Sequence, residues 1–285
     1  MANYIRFDWA MKRLLRDKAN YAVLEGFLST LLNDDIHIHR FLESESNQTD
    51  AIDKFNRVDM LVEDSHKRLL IIEVQNTREL DYFHRMLYGT SKAITEYIKL
   101  GEEYENIRKV YSINIVYFDL GQGKDYIYHG KTHFYGLHET DDELQLSRRQ
   151  KATFEGRFAA GDIFPEYYVL RVNEFDKIAR THLDEWVSFL KTGEIKETDT
   201  AKGLPEAREK LRVDSLPEKE RKAYYRDMEN VSYQRSVIKT GWIEGRAEGE
   251  REATLKVAAN LKSKGMDTAS IAEVTGLATE EIEKL

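Results

Sequence analysis

Two carboxylates set in apolar surroundings are the residues of this sequence that most need a chemical explanation. Glu73 interrupts the run Leu69-Leu70-Ile71-Ile72-Glu73-Val74-Gln75, and Asp59 sits inside Arg57-Val58-Asp59-Met60-Leu61-Val62. A near-continuous apolar run of the first kind reads as a strand buried on both faces. Side chains alternate along a strand, so Glu73 and Gln75 share a face with Leu69 and Ile71, while Leu70, Ile72 and Val74 take the other. The same rule groups Asp59 with Arg57 and Leu61. An ionised glutamate in such a strand is costly unless a partner or a cation compensates it. If the strand from Phe55 to Val62 pairs with the one from Arg68 to Gln75 across the polar turn Glu63 to Lys67, Asp59 and Glu73 converge at one end of a sheet. Two neighbouring carboxylates repel unless one is protonated or a cation lies between them. A hard cation such as Mg²⁺ takes oxygen ligands and keeps several waters. It can polarise a phosphate oxygen and lower the pKa of an attacking water. The backbone carbonyl of Val74 is a candidate further ligand. Gln75 can position the water or the phosphate, but it brings no positive charge. The plainer alternative is structural: ion pairs to Lys54 or Arg57 for the acids, and a backbone-bonded amide for Gln75.

The elements that must position these residues follow from periodicity. Phe7, Ala10, Met11, Leu14 and Leu15 recur at helical spacing, as do Val23, Leu24, Phe27, Leu28, Leu31 and Leu32. Residues 36 to 42 alternate like a strand, and Asn47 to Asp53 reads as a polar loop. After the strand pair a long helix is expected from Asp81 to Leu100, with Phe83, Leu87, Ile94 and Tyr97 on one face. An apolar strand follows from Lys109 to Phe118, then a strand pair around Gly121 and Gly123 reaching about His138. Asp141 to Arg157 is polar, Glu166 to Val172 reads as a strand, and His182 to Thr192 as a helix. A mixed sheet with helices packed on it accommodates this order. From about Lys196 the chain becomes charged and helix-favouring, so the expected division is an α/β domain over 1 to 195 and a helical extension over 196 to 285. Glu218 to Ala259 reads as one long helix carrying Gly241, Gly245 and Gly249 on one face, either solvated or self-associating. The tail alternates helix, Gly265, helix, Gly276, helix, which is similar in spacing to a helix-turn-helix.

Composition narrows the chemistry further. The 285 residues contain no cysteine, which removes disulfides, thiolate nucleophiles and cysteine-ligated zinc. The net charge of −8 argues against a large basic surface, although local patches and metal ions still allow nucleic-acid binding. No apolar run reaches the length of a membrane span, and the opening residues lack the apolar stretch of a secretory signal. A cytoplasmic protein without a membrane partner is the expectation. His37 and His39 read as the face of an edge strand rather than ligands; His129, His133 and His138 lie in the later strand region and merit no ligand role either. Gly121-Gln122-Gly123 lacks the lysine and hydroxyl residue of a phosphate loop and reads as a turn.

The pattern Asp59-x13-Glu73-x-Gln75 resembles the active-site signature of the PD-(D/E)XK nuclease superfamily, with glutamine where lysine is usual. More narrowly, the chain resembles the recombination-promoting nuclease (Rpn) and transposase family. FDWAMKRLLRDKANYAVLEGFLSTLL, KFNRVDMLVED, LLIIEVQN and DYFHRMLYGTSKAITEYIKLGEEY carry that likeness, and GWIEGRAEGEREA and LKSKGMDTASIAEVTGLATEEIEKL add to it. The resemblance implies a restriction-endonuclease-like α/β core and a Mg²⁺-dependent DNA endonuclease linked to recombination or mobile elements, with Mn²⁺ or Ca²⁺ as other ions. It implies Asp59 and Glu73 as metal ligands and Gln75 in the place of the catalytic lysine. In the superfamily an acid on the opening helices often completes the site; Glu25 and Asp8 are the candidates, with Glu25 ranked first because it lies beside the Leu24, Leu28 stripe. Arg85 and Tyr88, on the helix after the motif, are candidate DNA contacts, Arg85 as a bidentate phosphate ligand. The long polar helix offers a surface for a homo-oligomer. The competing expectation is a catalytically inactive nuclease fold that serves as a DNA-binding or protein-interaction module. Nothing in the sequence reads a 2′-hydroxyl, so RNA remains a third substrate class.

Overall fold

The computed structural model describes residues 4–42, 59–98, 102–153, 159–176 and 178–285. Two compact units divide the chain, Met1–Leu216 and Pro217–Leu285. The first is built on a six-stranded sheet of β1 (Ile38–Leu42), β2 (Met60–Asp64), β3 (Leu69–Gln75), β4 (Val110–Val116), β5 (Ile127–Gly130) and β6 (Glu166–Arg171). Their spatial order is β1-β2-β3-β4-β6-β5. β3 runs parallel to β4, and β4 to β6; the other pairs are antiparallel. The sheet is therefore mixed, as the element order led one to expect. β3 lies at its centre and is buried along its length up to Gln75. That explains the unbroken apolar run: both faces of this strand are covered.

Helices α1 (Phe7–Arg13), α2 (Tyr21–Leu32), α3 (Tyr82–Glu96), α4 (Arg148–Thr153), α5 (His182–Thr192) and α6 (Leu204–Lys210) accompany the sheet. α3 links β3 to β4 and covers one face, where Ala93 packs with Leu61, Leu69, Ile71 and Val110. Further along the same face, Tyr82 and Met86 pack with Val116 and Val169. On the opposite face, Tyr117 donates its hydroxyl to the Leu190 carbonyl of α5, and Arg6 lies over the Tyr117 ring. Phe7, Phe27, Trp186 and Phe189 bring α1, α2 and α5 together through edge-to-face contacts between the helices, with ring centroids 5.3 to 6.3 Å apart. Such rings bury large apolar areas in a specific geometry.

Three expectations change. The buried stripe of α3 is Tyr82, Met86, Thr90 and Ala93. Ile94 and Tyr97 pack only partly, and Phe83 and Leu87 are exposed, lining an open cavity of about 400 Å³ with Tyr128, Tyr167 and Val169. The two stripes lie side by side on the helix, and Tyr82 takes the inner one because its hydroxyl reaches Asn114 of β4. The segment after Gly121 does not form a strand pair of its own. β5 pairs with the later β6, a non-local partner that turn residues do not reveal. Finally, the first unit takes in residues 196–216, past the expected boundary at 195. Ala201, Leu204, Ala207 and Leu211 are fully buried, Trp186 donates its indole N–H to the Lys202 carbonyl, and Ile5 N–H bonds to the Leu211 carbonyl. The loop at 47–53 and the first half of the expected strand at 55–62 lie outside the described residues.

The second unit holds α7 (Glu218–Ser263), α8 (Thr268–Thr275) and α9 (Thr279–Glu283). Ala258, Ile271 and Ile282 form its small core. Gly241, Gly245 and Gly249 face open space. No helix among the described residues is long and apolar enough to cross a membrane.

Candidate metal centre

The turn between β2 and β3 sets the register that matters. Asp64 accepts from the backbone N–H groups of His66 and Arg68, and Lys67 takes a left-handed conformation with φ 61°. Pairing then runs Glu63 with Leu69, through to Met60 with Ile72. One step further, Asp59 falls opposite Glu73. Leu61 lies on the face that α3 covers, so alternation puts Asp59 on that face too. Asp59 Oδ2 accepts a 2.8 Å hydrogen bond from the Val74 N–H, and Arg16 donates to the Asp59 carbonyl at 2.7 Å. Arg16 follows α1, so the opening segment holds the motif's first acid in place.

Glu73 is buried, and Arg85 of α3 lies 3.4 Å from its Oε2. Burial pushes its carboxyl up to about 7; Arg85 opposes the rise, while Asp59 and Glu79 add to it. Glu63 and Glu166 are also buried, and burial alone would raise them, yet both are held below the usual carboxylate value. Arg40 and Arg108 do this for Glu63; Lys109 and His129 do it for Glu166. Arg85 does not do it for Glu73 because its better bonds go to Glu79, at 2.9 and 3.2 Å. Glu79 also accepts 2.5 Å from Gln75 Nε2. Glu73, Arg85, Glu79 and Gln75 thus form a connected polar group beside Asp59.

The other candidates separate by position. Asp8 comes to this end of the sheet: Arg6 chelates it at 3.0 and 3.1 Å, and Asn76, the residue after Gln75, donates to it at 3.1 Å. Glu25 does not. Its carboxylate accepts from the N–H of Ile38, which pairs with Asp64 at the far end of β2. Five residues of strand put it about 17 Å from Asp59. The expected ranking of Glu25 over Asp8 is therefore reversed, because Glu25 completes the entry to β1. Tyr88 is about half exposed on α3, one turn beyond Arg85. Of the histidines, His37 lies just before β1 and pairs with Asp35, His129 pairs with Glu166 and His133 with Glu143. Lys54 and Arg57, the alternative partners for the acids, lie outside the described residues. Sequence reasoning missed Glu79, Arg16 and Asn76. They sit in connecting segments, where no periodicity marks a side chain's direction.

Among the described residues, no group of three or more His, Asp and Glu side chains forms a ready-made cage. Mg²⁺ is usually held by one or two carboxylates and otherwise by water. The donor set of Asp59, Glu73, the Val74 carbonyl and the Gln75 amide oxygen is all hard oxygen.

No curated protein and no solved structure is significantly similar to the chain. The family described as PD-(D/E)XK nuclease family transposase matches it over residues 5–156, a stretch that opens just before α1 and holds Asp59, Glu73, Gln75 and all of α3. This is a little over half of the 285 residues, and the chain belongs to the PD-(D/E)XK nuclease family transposases.

Proposed function

We propose that this protein is a metal-dependent DNA endonuclease, with Asp59 and Glu73 holding the cation. Membership in a nuclease family supports a nuclease-type function. The observation that carries the finer reading is a carboxylate seated on the Val74 N–H beside a buried glutamate that its surroundings leave with a raised pKa. Structural ion pairs in this sheet look different, as Glu63 and Glu166 show. A bound divalent cation would offset the repulsion between the two acids, and it would supply a polarised phosphate oxygen and a more acidic water.

The chain's own residues do the positioning. The Val74 N–H fixes Asp59 Oδ2 and with it the direction of the carboxylate. Glu73 is presented from a central strand of the mixed sheet, paired on both sides with β2 and β4. Gln75, on the same face two residues on, orients the attacking water or the scissile phosphate. Arg85 exchanges part of its contact with Glu79 for a phosphate oxygen when DNA binds, and exposed Tyr88 lies beside it. In the hydrolysis the water oxygen bonds to phosphorus and gives up a proton to solvent, while the bond to the leaving sugar oxygen breaks and that oxygen takes up a proton from solvent.

The reading is tested by calorimetric titration of Mn²⁺ into the wild type, Asp59→Ala and Glu73→Ala. Binding lost in both variants, with the fold intact by circular dichroism, is the expected result. Equal binding in all three would leave the inactive DNA-binding module as the better account. We also assign a second copy of the chain as a partner, through Tyr233, Val237, Ile238, Trp242 and Ile243, all at least half exposed on α7. Light scattering should give a dimer mass that Trp242→Glu reduces; a wild-type monomer would refute the assignment.

A further inference from the structure

Where a lysine is usual, this chain has Gln75, and the structure says which end of its amide serves the centre. Gln75 Nε2 lies 2.5 Å from Glu79 Oε1. A carboxylate offers only acceptors, so it must receive the amide's NH₂ group and cannot receive its oxygen. Glu79 is itself held: Arg85 Nη1 donates to both of its oxygens. Among the described residues Gln75 Oε1 has no hydrogen-bond partner. Gln75 is half-buried on the face it shares with Glu73.

We infer that Glu79 is a positioning residue, which turns the Gln75 amide so that its oxygen, and not its NH₂, is presented to the metal centre. This rests on the proposed metal-binding role of Asp59 and Glu73. It changes what the substitution means. The residue at the lysine position is here an oxygen donor, able to bind the cation or to accept a proton from one of its waters. The positive charge a lysine would bring comes from Arg85, which also touches Glu73. Charge and orienting group, combined in one lysine elsewhere, are divided between β3 and α3.

A double-mutant cycle in Mn²⁺ affinity tests this, because it reads binding without turnover. Gln75→Met keeps the volume and removes the oxygen. Glu79→Gln keeps the shape and lets the Gln75 amide turn over. Each is expected to weaken Mn²⁺ roughly tenfold, the usual effect of losing an orienting partner. The double variant is expected to lose less than the product of the two single losses, because the part of Glu79's effect that runs through Gln75 is already gone once the amide oxygen is removed. Losses that multiply in the double variant would overturn the inference, and so would a Glu79→Gln variant with wild-type affinity. The exchange Gln75→Glu with Glu79→Gln, in which position 79 now donates to a carboxylate, should bind Mn²⁺ at least as well as the wild type. A misfolded single variant then still leaves a readable result: an exchange variant that folds but binds poorly refutes the assignment. If Asp59→Ala and Glu73→Ala leave affinity unchanged, the metal-binding reading itself has failed, which is a different outcome.

Discussion

Glu73 is the residue on which the proposed chemistry turns, and its ionisation can be followed without any substrate. Its carboxyl titrates near pH 7 in the folded chain, against 4.5 for a free glutamate. Between those values the folded state holds more protons than the unfolded state, so stability falls as pH rises through the window and levels off above it. At about 1.4 kcal/mol per pKa unit, the full span is about 3 kcal/mol. In EDTA, Glu73→Gln should therefore be more stable than the wild type at about pH 8, with the gain gone near pH 4. Thermal unfolding at the two pH values checks this. Equal stability at the higher pH would mean that Arg85 neutralises Glu73 after all. The two motif acids and Gln75 were legible in the sequence because charged or polar groups stood out against an apolar strand. Glu79 was not, although it bonds Gln75 four residues away, because a side chain in a connecting loop has no pattern to betray its direction.

At the scale of elements, the opening helices and the segment after α5 hold the motif strands from one side. α2 and the start of α6 approach so closely that only glycine fits at the crossing. A Cβ built on Gly26 would lie 2.3 Å from the Lys202 carbonyl oxygen and 2.4 Å from the Gly203 Cα. Gly203 itself takes φ 87°, which L side chains rarely adopt. Backbone cannot yield as a flexible side chain can, so Gly26→Ala should cost about 3 kcal/mol, the upper end of overpacking penalties. Urea denaturation measures it, and a loss below about 1 kcal/mol would mean the crossing relaxes freely. Local signals located these elements well where they were complete. α5 begins at a capping box of Thr181 and Asp184 and ends at Gly193 in the left-handed conformation, and its range was readable from the sequence. β5 was misassigned because its partner, β6, lies more than thirty residues later. The inner face of α3 was misread because two adjacent stripes are both apolar enough to be buried.

For the whole molecule, the sequence's shift in composition near Lys196 marks a change in charge, not the edge of the folded unit. Residues 196–216 are rich in charge, yet Ala201, Leu204, Ala207 and Leu211, three or four residues apart, complete the first unit, and a composition average hides that. The mixed sheet and its flanking helices were legible because each strand and most helices announce themselves by period. How the unit closes on itself was not, because closure depends on contacts such as Ile5 with Leu211 that span nearly the whole unit. The central claim is that this unit cleaves DNA through a cation held by Asp59 and Glu73. The most direct measurement is cleavage of supercoiled plasmid by the full chain with Mg²⁺, Mn²⁺, Ca²⁺ or EDTA, alongside Asp59→Ala and Glu73→Ala. The account predicts cutting with Mg²⁺ or Mn²⁺ that EDTA and either substitution abolish. Cutting that survives both substitutions, or a folded wild type that cuts with no ion, would contradict it.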